Sequence, residues 1–467
     1  MRRLLLNAAT LAASNLLSRV LLFVGLALVA RRIPVESFGV LSVSIALGTA
    51  AFVASEWGLD LRALQAYARR PHRISGVLGD VVAVRLFTAA VAFGAFLLLG
   101  TLVEGSGTAL FALVIGAYVI SALAKSLRMP FIAVGESSTE ALLATLERTV
   151  GFALIVLCLS VIDEKPWLFG ASLLCAAVLA VMLSVRAATT RWRPNRSASL
   201  RRCRVLLASA TPMGVNALAV WVYYRASLLL LAEIEGQQAA GVLGAVSLVT
   251  MAFGVAGQGF ILSIAPRIAS VDRLRNEDVE ATATLVRYVG QSALLCAAVL
   301  SISAPFLVKL LFGEGYLAGV DVLRILSLHV FFLLTTPLLA TALRFHGSPA
   351  DVARFAVAGA LLSLASGVAL ISWIGAVGAA VATLVGETLV FVLCVRRFAR
   401  LVGVRDFPNR LRLSAAAPVS AALCVMGLVS ATWQLVCAGI LAGLILSSWR
   451  VGDVRRALAY LSMNRSQ

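Results

Sequence analysis

Charged residues are scarce in this sequence: Asp, Glu, Lys and Arg make up 13% of the 467 residues, whereas 61% are hydrophobic. A soluble protein of this length would fold as roughly three domains and would need far more charge on its surfaces. A membrane β-barrel is excluded as well, because its strands of about ten residues alternate in polarity, whereas stretches such as 361–371 show no alternation. The composition therefore predicts an all-α polytopic membrane protein.

Residues that commonly carry catalysis, metal ions or cofactors are few. The seven cysteines lack any Cys-x-x-Cys spacing, and the three histidines, His72, His329 and His346, lie in different segments. This scatter predicts no metal site and no cofactor. None of the three lysines stands in the glycine pattern of an ATP-binding phosphate loop, and the loops between apolar segments are too short to hold a catalytic domain. We therefore predict a transporter, not an enzyme.

The basic residues fall on one side of the predicted spans. Apolar windows of about 20 residues give about fourteen spans. With the N-terminus in the cytoplasm, inward loops hold the arginine-rich stretches 62–73, 191–204 and 396–410, whereas outward loops are acidic at 163–164 and 233–235. This positive-inside pattern predicts that both termini are cytoplasmic. It also accounts for the net charge of +18 without a nucleic-acid partner.

A basic, proline-containing stretch near the middle of the chain separates two predicted halves. We predict an N-terminal six-helix lobe at 1–190, a cytoplasmic basic linker at 191–205, a C-terminal six-helix lobe at 206–400, and two additional helices with a cytoplasmic tail at 401–467. An internal repeat supports the two halves. Phe-Gly-Val-Leu at 38–41, opening the second span, matches Ala-Gly-Val-Leu at 240–243, opening the eighth, at an offset of 202 residues.

Charged side chains inside the predicted spans are the candidates for a site, because an arginine at a helix centre costs about 2.5–3.5 kcal/mol to insert. Arg19 lies near the middle of the first span, Arg85 in the inner third of the third, and Arg225 in the outer half of the seventh. We predict that these three bind an anionic substrate, since a guanidinium group binds phosphate oxygens bidentately. Arg19 and Arg225 have no carboxylate within a turn of sequence, so they either face a lumen or form interhelical ion pairs.

Structural roles are the alternatives for the other deep charges. Arg85 can pair with Asp80 or with another carboxylate at the inner end. Glu387, about mid-depth in the twelfth span, is our candidate for ion coupling, but it can also bond a neighbouring helix. Arg324, a few residues into the tenth span, is better explained by an ion pair with Asp321, three positions before it.

Three parts of the chain carry a family resemblance: Ala-Arg-Arg-Ile-Pro-Val-Glu-Ser-Phe-Gly at 30–39, the segments 311–316 and 323–326, and Gly-Ala-Val-Gly-Ala-Ala-Val-Ala-Thr at 375–383. They resemble the bacterial oligosaccharide flippases, the Wzx-like branch of the multidrug/oligosaccharidyl-lipid/polysaccharide exporter superfamily. The resemblance implies two six-helix lobes around a central cavity, alternating between inward-open and outward-open states, with two extra helices at the C-terminus.

The resemblance also implies a substrate, partners and a location. The substrate would be an undecaprenyl-diphosphate-linked oligosaccharide, turned over to the periplasmic leaflet of the bacterial inner membrane for O-antigen, exopolysaccharide or capsule assembly. Membrane lipids are expected partners, and a polysaccharide polymerase and glycosyltransferases are candidates. An ion-coupled multidrug or cation antiporter of the same superfamily is the alternative. It should show deep acidic residues in the N-terminal half, where we find only Asp80, Glu56 and Asp60 near inner ends. A scaffold for glycan assembly is a third, non-transport alternative.

Overall fold

The protein is helical throughout the part that the computed structural model describes, residues 2–69, 74–103, 108–161, 165–192, 199–270, 276–346 and 348–402. Those residues form thirteen α-helices, one 3₁₀ helix and no strand. The helices are α1 (Arg2–Arg32), α2 (Val35–Glu56), α3 (Leu59–Arg69), α4 (Ile74–Val103), α5 (Thr108–Ala133), α6 (Ser137–Cys158), α7 (Trp167–Arg191), α8 (Leu200–Glu235), α9 (Gln237–Ser270), α10 (Asn276–Phe312), the 3₁₀ helix (Glu314–Gly319), α11 (Val320–Leu326), α12 (His329–His346) and α13 (Pro349–Val402). This confirms the predicted all-α fold. Helices suit hydrocarbon because a helix satisfies its own backbone hydrogen bonds.

Most of these helices are long and apolar enough to cross a membrane. Ten described helices qualify, and the bent pair Glu314–Leu326 and His329–Arg344, with a 41° angle between its parts, makes an eleventh candidate. Their outer surface carries large apolar side chains, such as Trp373 at 85% and Leu157 at 76% exposure. A surface of that kind is stable in lipid, which confirms a multi-pass membrane protein.

Helix α13 contains two spans because it folds back on itself at Ile374 and Gly375. Gly375 has φ 58° and ψ −134°, a conformation that a residue with a side chain rarely adopts. A Cβ at Gly378 would lie 2.1 Å from the carbonyl oxygen of Leu370, so the two arms leave the turn in close contact. Counting both arms gives twelve candidate spans within the described residues. The predicted last two spans, within 413–449, lie outside those residues, and the total of about fourteen stays a prediction.

By its internal contacts the chain divides into two compact units, Met1–Ala245 and Val246–Gln467. In the first unit α5 packs against α2, α4 and α7, α1 packs against α6, and α8 packs against α2, α3 and α4. In the second unit α12 packs against α10 and α13. The lobe boundaries predicted at 190 and 206 and the linker between them stay predictions.

Within the first unit, α2 and the first turns of α9 pack backbone against backbone. A Cβ at Gly39 would lie 1.8 Å from the carbonyl oxygen of Gln237, and a Cβ at Gly241 would lie 2.1 Å from that of Val35. At the offset of 202 residues, 35 corresponds to 237 and 39 to 241. The contact is therefore reciprocal, as it would be across a two-fold axis. The two glycines of the sequence repeat thus form one glycine seam, Gly39 with Gly241.

We expect Gly39→Ala and Gly241→Ala each to destabilise the protein by about 1–3 kcal/mol, the usual cost of overpacking, because the added methyl overlaps a backbone carbonyl. Thermal unfolding in detergent micelles measures this. Gly76→Ala and Gly94→Ala on α4 are matched controls, since a Cβ at either position meets nothing within 4 Å. Equal melting temperatures for seam and control variants would contradict the close packing.

Candidate functional site

Arg85 is fully buried in α4, where its guanidinium group contacts Asp60 and Ser126. Nη2 forms an ion pair with Asp60 Oδ1, and Nε donates to Ser126 Oγ over 2.8 Å. Lys125 Nζ lies 3.2 Å from Asp60 Oδ2, so this Asp60–Arg85 network joins α3, α4 and α5. The alternative of an inner-end carboxylate as the partner of Arg85 is confirmed. Substrate binding by Arg85 stays a prediction.

Asp80, the other partner considered for Arg85, contacts the start of α8 instead. Its Oδ2 accepts a hydrogen bond from Arg202 Nε over 2.8 Å, and its Oδ1 accepts one from the backbone N–H of Ser199 over 3.2 Å. These bonds join α8 to α4, so this carboxylate is occupied by a structural contact.

Arg19 of α1 and Arg148 of α6 lie at the same level of the first unit. Two contacts between α1 and α6 bracket this level: Ser14 Oγ lies 2.7 Å from Thr145 Oγ1, and a Cβ at Gly25 would lie 3.3 Å from the Phe152 ring. The side chain of Arg19 is exposed and that of Arg148 is half-buried. The two guanidinium groups carry like charge on helices that pack against each other. Sequence reasoning did not single out Arg148.

Arg225 of α8 approaches the same region through the buried Tyr118 of α5. The Tyr118 hydroxyl interacts electrostatically with both Arg148 and Arg225. Two neighbouring residues of α2 contact these helices at a similar height. A Cβ at Gly48 would lie 2.5 Å from the Tyr118 ring. Thr49 Oγ1 accepts a hydrogen bond over 3.0 Å from Nε1–H of Trp221, one turn before Arg225. The structure thus brings the predicted Arg19 and Arg225 toward one region and adds Arg148. We call these three residues the arginine cluster.

A small cavity lies beside the cluster, among α1, α5, α6 and α7. Its volume is about 30 Å³, room for a water molecule or two. Leu21, Leu22 and Phe152 form apolar walls, and the polar lining residues are Tyr118, Ser121, Glu147 and Arg148. The cavity is too small for a sugar ring.

Glu147, next to Arg148 in sequence, is a deep carboxylate that sequence reasoning missed. It is 5% exposed, and its Oε1 accepts a hydrogen bond from Ser121 Oγ over 2.6 Å. Its Oε2 accepts two from Arg128, over 3.1 and 3.2 Å. The sequence could have revealed Glu147 as a candidate, because a glutamate within an apolar helix needs a cation on a neighbouring helix. Arg128 supplies that cation to Glu147.

Glu387 lies in the second unit, on the second arm of α13, and is 2% exposed. Its Oε2 is 2.6 Å from Nδ1 of His329 on α12, a partner that the sequence did not reveal. Ion coupling by Glu387 stays a prediction.

Arg324 forms the expected ion pair, with Nη1 2.9 Å from Asp321 Oδ1, which confirms that interpretation. Within the described residues no group of three His, Cys, Asp or Glu side chains is placed to hold a metal ion.

Comparisons of the sequence with known proteins identify a family. A model of the polysaccharide biosynthesis protein family matches residues 4–270. No curated protein is significantly similar to the chain in sequence.

Several solved structures have a fold similar to that of this chain over most of its length. One is a multidrug resistance MATE family transporter of the MOP superfamily in an inward-facing conformation, with a TM-score of 0.67 and 14% identity over 85% of this chain and 96% of that one. Another is the lipid II flippase MurJ in an inward closed conformation, with a TM-score of 0.64 and 12% identity over 96% of this chain and 99% of that one. A mutant of the Vibrio cholerae MATE transporter VcmN has a TM-score of 0.60 and 14% identity over 87% and 99%. At these identities the likeness shows the fold alone.

Proposed function

Because the chain belongs to the polysaccharide biosynthesis protein family, we propose that it moves a polyprenyl-diphosphate-linked oligosaccharide from the cytoplasmic to the periplasmic leaflet of the bacterial inner membrane. The product would enter O-antigen, exopolysaccharide or capsule assembly, where a polymerase and glycosyltransferases are its partners. The fold shared with a lipid II flippase supports this proposal. In this function the chain performs no covalent chemistry, and both termini lie in the cytoplasm.

The observation that carries the proposal is the charge balance of the first unit. Among its described residues three carboxylates are buried, Asp60, Asp80 and Glu147, and each forms an ion pair with an arginine. Arg19 and Arg225 belong to the arginine cluster of the same unit, and the sequence predicts them within spans, near the middle and in the outer half respectively. The excess of cations at this depth favours an anionic cargo, and the diphosphate of a lipid-linked oligosaccharide is such an anion.

Binding of the diphosphate by arginines would also support transport physically. A polar head group must be sheltered from hydrocarbon while its polyprenyl tail stays in lipid, and a guanidinium group remains charged in a medium of low dielectric constant. A substrate shifts a conformational equilibrium only if it contacts the two states differently. Arginines on α1 and α8 can provide that difference when these helices move.

A transport assay tests the proposal directly. Purified protein in vesicles should carry a fluorescent polyprenyl-diphosphate saccharide to the opposite leaflet, where a membrane-impermeant quencher reports its arrival. The antiporter alternative, which the shared MATE fold also fits, predicts uptake of a cationic dye driven by an ion gradient instead. Dye transport without movement of the saccharide lipid would replace the proposal by the antiporter.

For ion coupling, we expect Glu387→Gln to remove the stimulation of saccharide-lipid transport by an imposed ion gradient. The buried carboxylate beside His329 can exchange a charge that the amide cannot. Vesicles with proton and sodium gradients, imposed separately, measure this and identify the ion. Thr388→Ala, at the adjacent exposed position, is the control. If Glu387→Gln keeps both its rate and its response to gradients, Glu387 has no coupling role.

A further inference from the structure

The chain between α2 and α3 has a strained backbone at Trp57 and Gly58. Trp57 has φ 42° and ψ 29°, and Gly58 has φ 73°. Glycine adopts such left-handed angles freely, whereas a residue as bulky as tryptophan rarely does. The sequence does not demand a break here, because Val35–Tyr67 is one stretch apolar enough to span a membrane and contains no proline. Contacts with neighbouring helices must therefore maintain the break.

Helix α8 fits closely against this break. A Cβ at Gly214 of α8 would lie 2.7 Å from the Trp57 ring, and a Cβ at Gly58 would lie 2.6 Å from Cβ of Met213. Trp57 also donates Nε1–H to Thr211 Oγ1 over 3.3 Å. The strained backbone is thus fitted to one surface of α8, and these contacts exist only while the break exists.

A lysine of α5 spans the same break. Lys125 Nζ lies 3.2 Å from Glu56 Oε2, before the break, and 3.2 Å from Asp60 Oδ2, after it. In a continuous helix Glu56 and Asp60 would lie one turn apart on the same face, where like charges repel each other. This repulsion works against a continuous helix, and Lys125 holds both carboxylates where the broken form places them. The Glu56 side chain is 25% exposed and that of Asp60 only 6%, so water reaches the bond between Lys125 and Glu56 more easily.

We propose that the Trp57–Gly58 break is a conformational joint with two states. In the docked state, which the structure shows, Lys125 holds both carboxylates and α3 lies against α8. In the undocked state Trp57 and Gly58 take right-handed helical angles, α2 continues into α3 as one helix, and α3 gives up its contacts with α8. A few residues at the end of a helix that absorb a large change of φ and ψ are the usual form of a hinge. The link of this joint to transport rests on the proposed function.

A distance measurement tests the two states. Spin labels carried by noncanonical amino acids at Gln65 of α3 and Val205 of α8, both exposed positions, report the separation of the two helices by double electron–electron resonance. Wild type should give mainly one distance. Glu56→Gln breaks the bond to Lys125 and removes the repulsion from Asp60, and Gly58→Ala adds a methyl at a left-handed residue. Each should raise the population at a second distance about 5- to 150-fold, the range usual for such conformational couplings.

Matched controls lie at the turn between α5 and α6. Gly135→Ala introduces the same strain, at φ 81°, but a Cβ there meets nothing within 4 Å. Glu136→Gln makes the same chemical change as Glu56→Gln in a carboxylate that pairs with the exposed Arg191. Both controls should keep the wild-type distance and the wild-type rate of saccharide-lipid transport in vesicles. The two joint variants should transport more slowly, because a cycle that uses both states slows when one of them is depleted.

The outcomes separate the joint from the proposed function. Folded Glu56→Gln and Gly58→Ala proteins that keep the single wild-type distance would overturn the joint, and so would a failure of both variants to fold, because the break would then be a fixed structural element. If only one variant folds, its distance decides. A second distance together with wild-type transport would show that the joint moves outside the transport cycle, and the proposed function would stand. Two distances in a protein that moves no saccharide lipid would support the joint and refute the function.

Discussion

The Arg19→Ala, Arg225→Ala double variant is expected to abolish polysaccharide export while the amount of protein in the membrane stays near that of wild type. Arg19 on α1 is exposed and Arg225 on α8 is half-buried, so removing them leaves no large internal cavity. A deep guanidinium group costs about 2.5–3.5 kcal/mol to insert, and its removal relieves that cost. We therefore expect export to be lost because substrate binding is lost. Complementation of a strain lacking its own flippase measures export, and immunoblotting of membranes measures protein amount.

Lysine variants separate charge from geometry at these two positions. Arg19→Lys and Arg225→Lys keep the positive charge but lose the planar fork that binds two phosphate oxygens at once. We expect each to retain part of the export activity. Full export by the double alanine variant would refute the assignment of both residues, and full export by both lysine variants would show that charge alone suffices.

Spans could be read from the sequence because their signals are local. The apolar window and a terminal glycine define α2, which ends at Glu56 before Trp57 and Gly58, both at positive φ. The glycine- and alanine-rich segment at 375–383 marks the second arm of α13, where Gly375 makes the turn. Such features depend on a few neighbouring residues, so no tertiary information is needed to find them.

The partners of the deep charges could not be read in the same way. Adjacent helix positions point about 100° apart, so Glu147 and Arg148 face different neighbours. Only the packing of α5 against α6 shows that Glu147 faces Arg128. His329 and Glu387 are 58 residues apart and meet through the packing of α12 on α13. For these residues sequence reasoning identified charges that need an explanation, and tertiary structure supplied it.

The Asp60–Arg85 network leads to the second large effect: Arg85→Ala should destabilise the protein by about 3–5 kcal/mol, the usual cost of breaking a buried ion pair from one side. The change leaves Asp60 in a site where its side chain is 6% exposed, and it removes the largest fully buried side chain described. Reduced protein in the membrane and a lower melting temperature in detergent should follow. Arg62→Ala, at a half-buried position near the start of α3, removes an arginine that donates to the backbone carbonyl of Ser209 and to the side-chain amide oxygen of Gln65. This change should cost much less, because it leaves no carboxylate buried without its partner.

The double variant Asp60→Leu, Arg85→Met then decides what Arg85 does. Replacing both charges by apolar groups of similar size is often neutral for stability, and Lys125 keeps its contact with Glu56 at 3.2 Å. If Arg85 is a structural residue, this variant should recover wild-type melting and most transport of the saccharide lipid. If Arg85 binds substrate, as its depth in the sequence predicted, melting should recover while transport stays absent. Because melting and transport are measured on the same purified protein, a failure of the double variant to fold is seen directly and is not mistaken for a loss of binding.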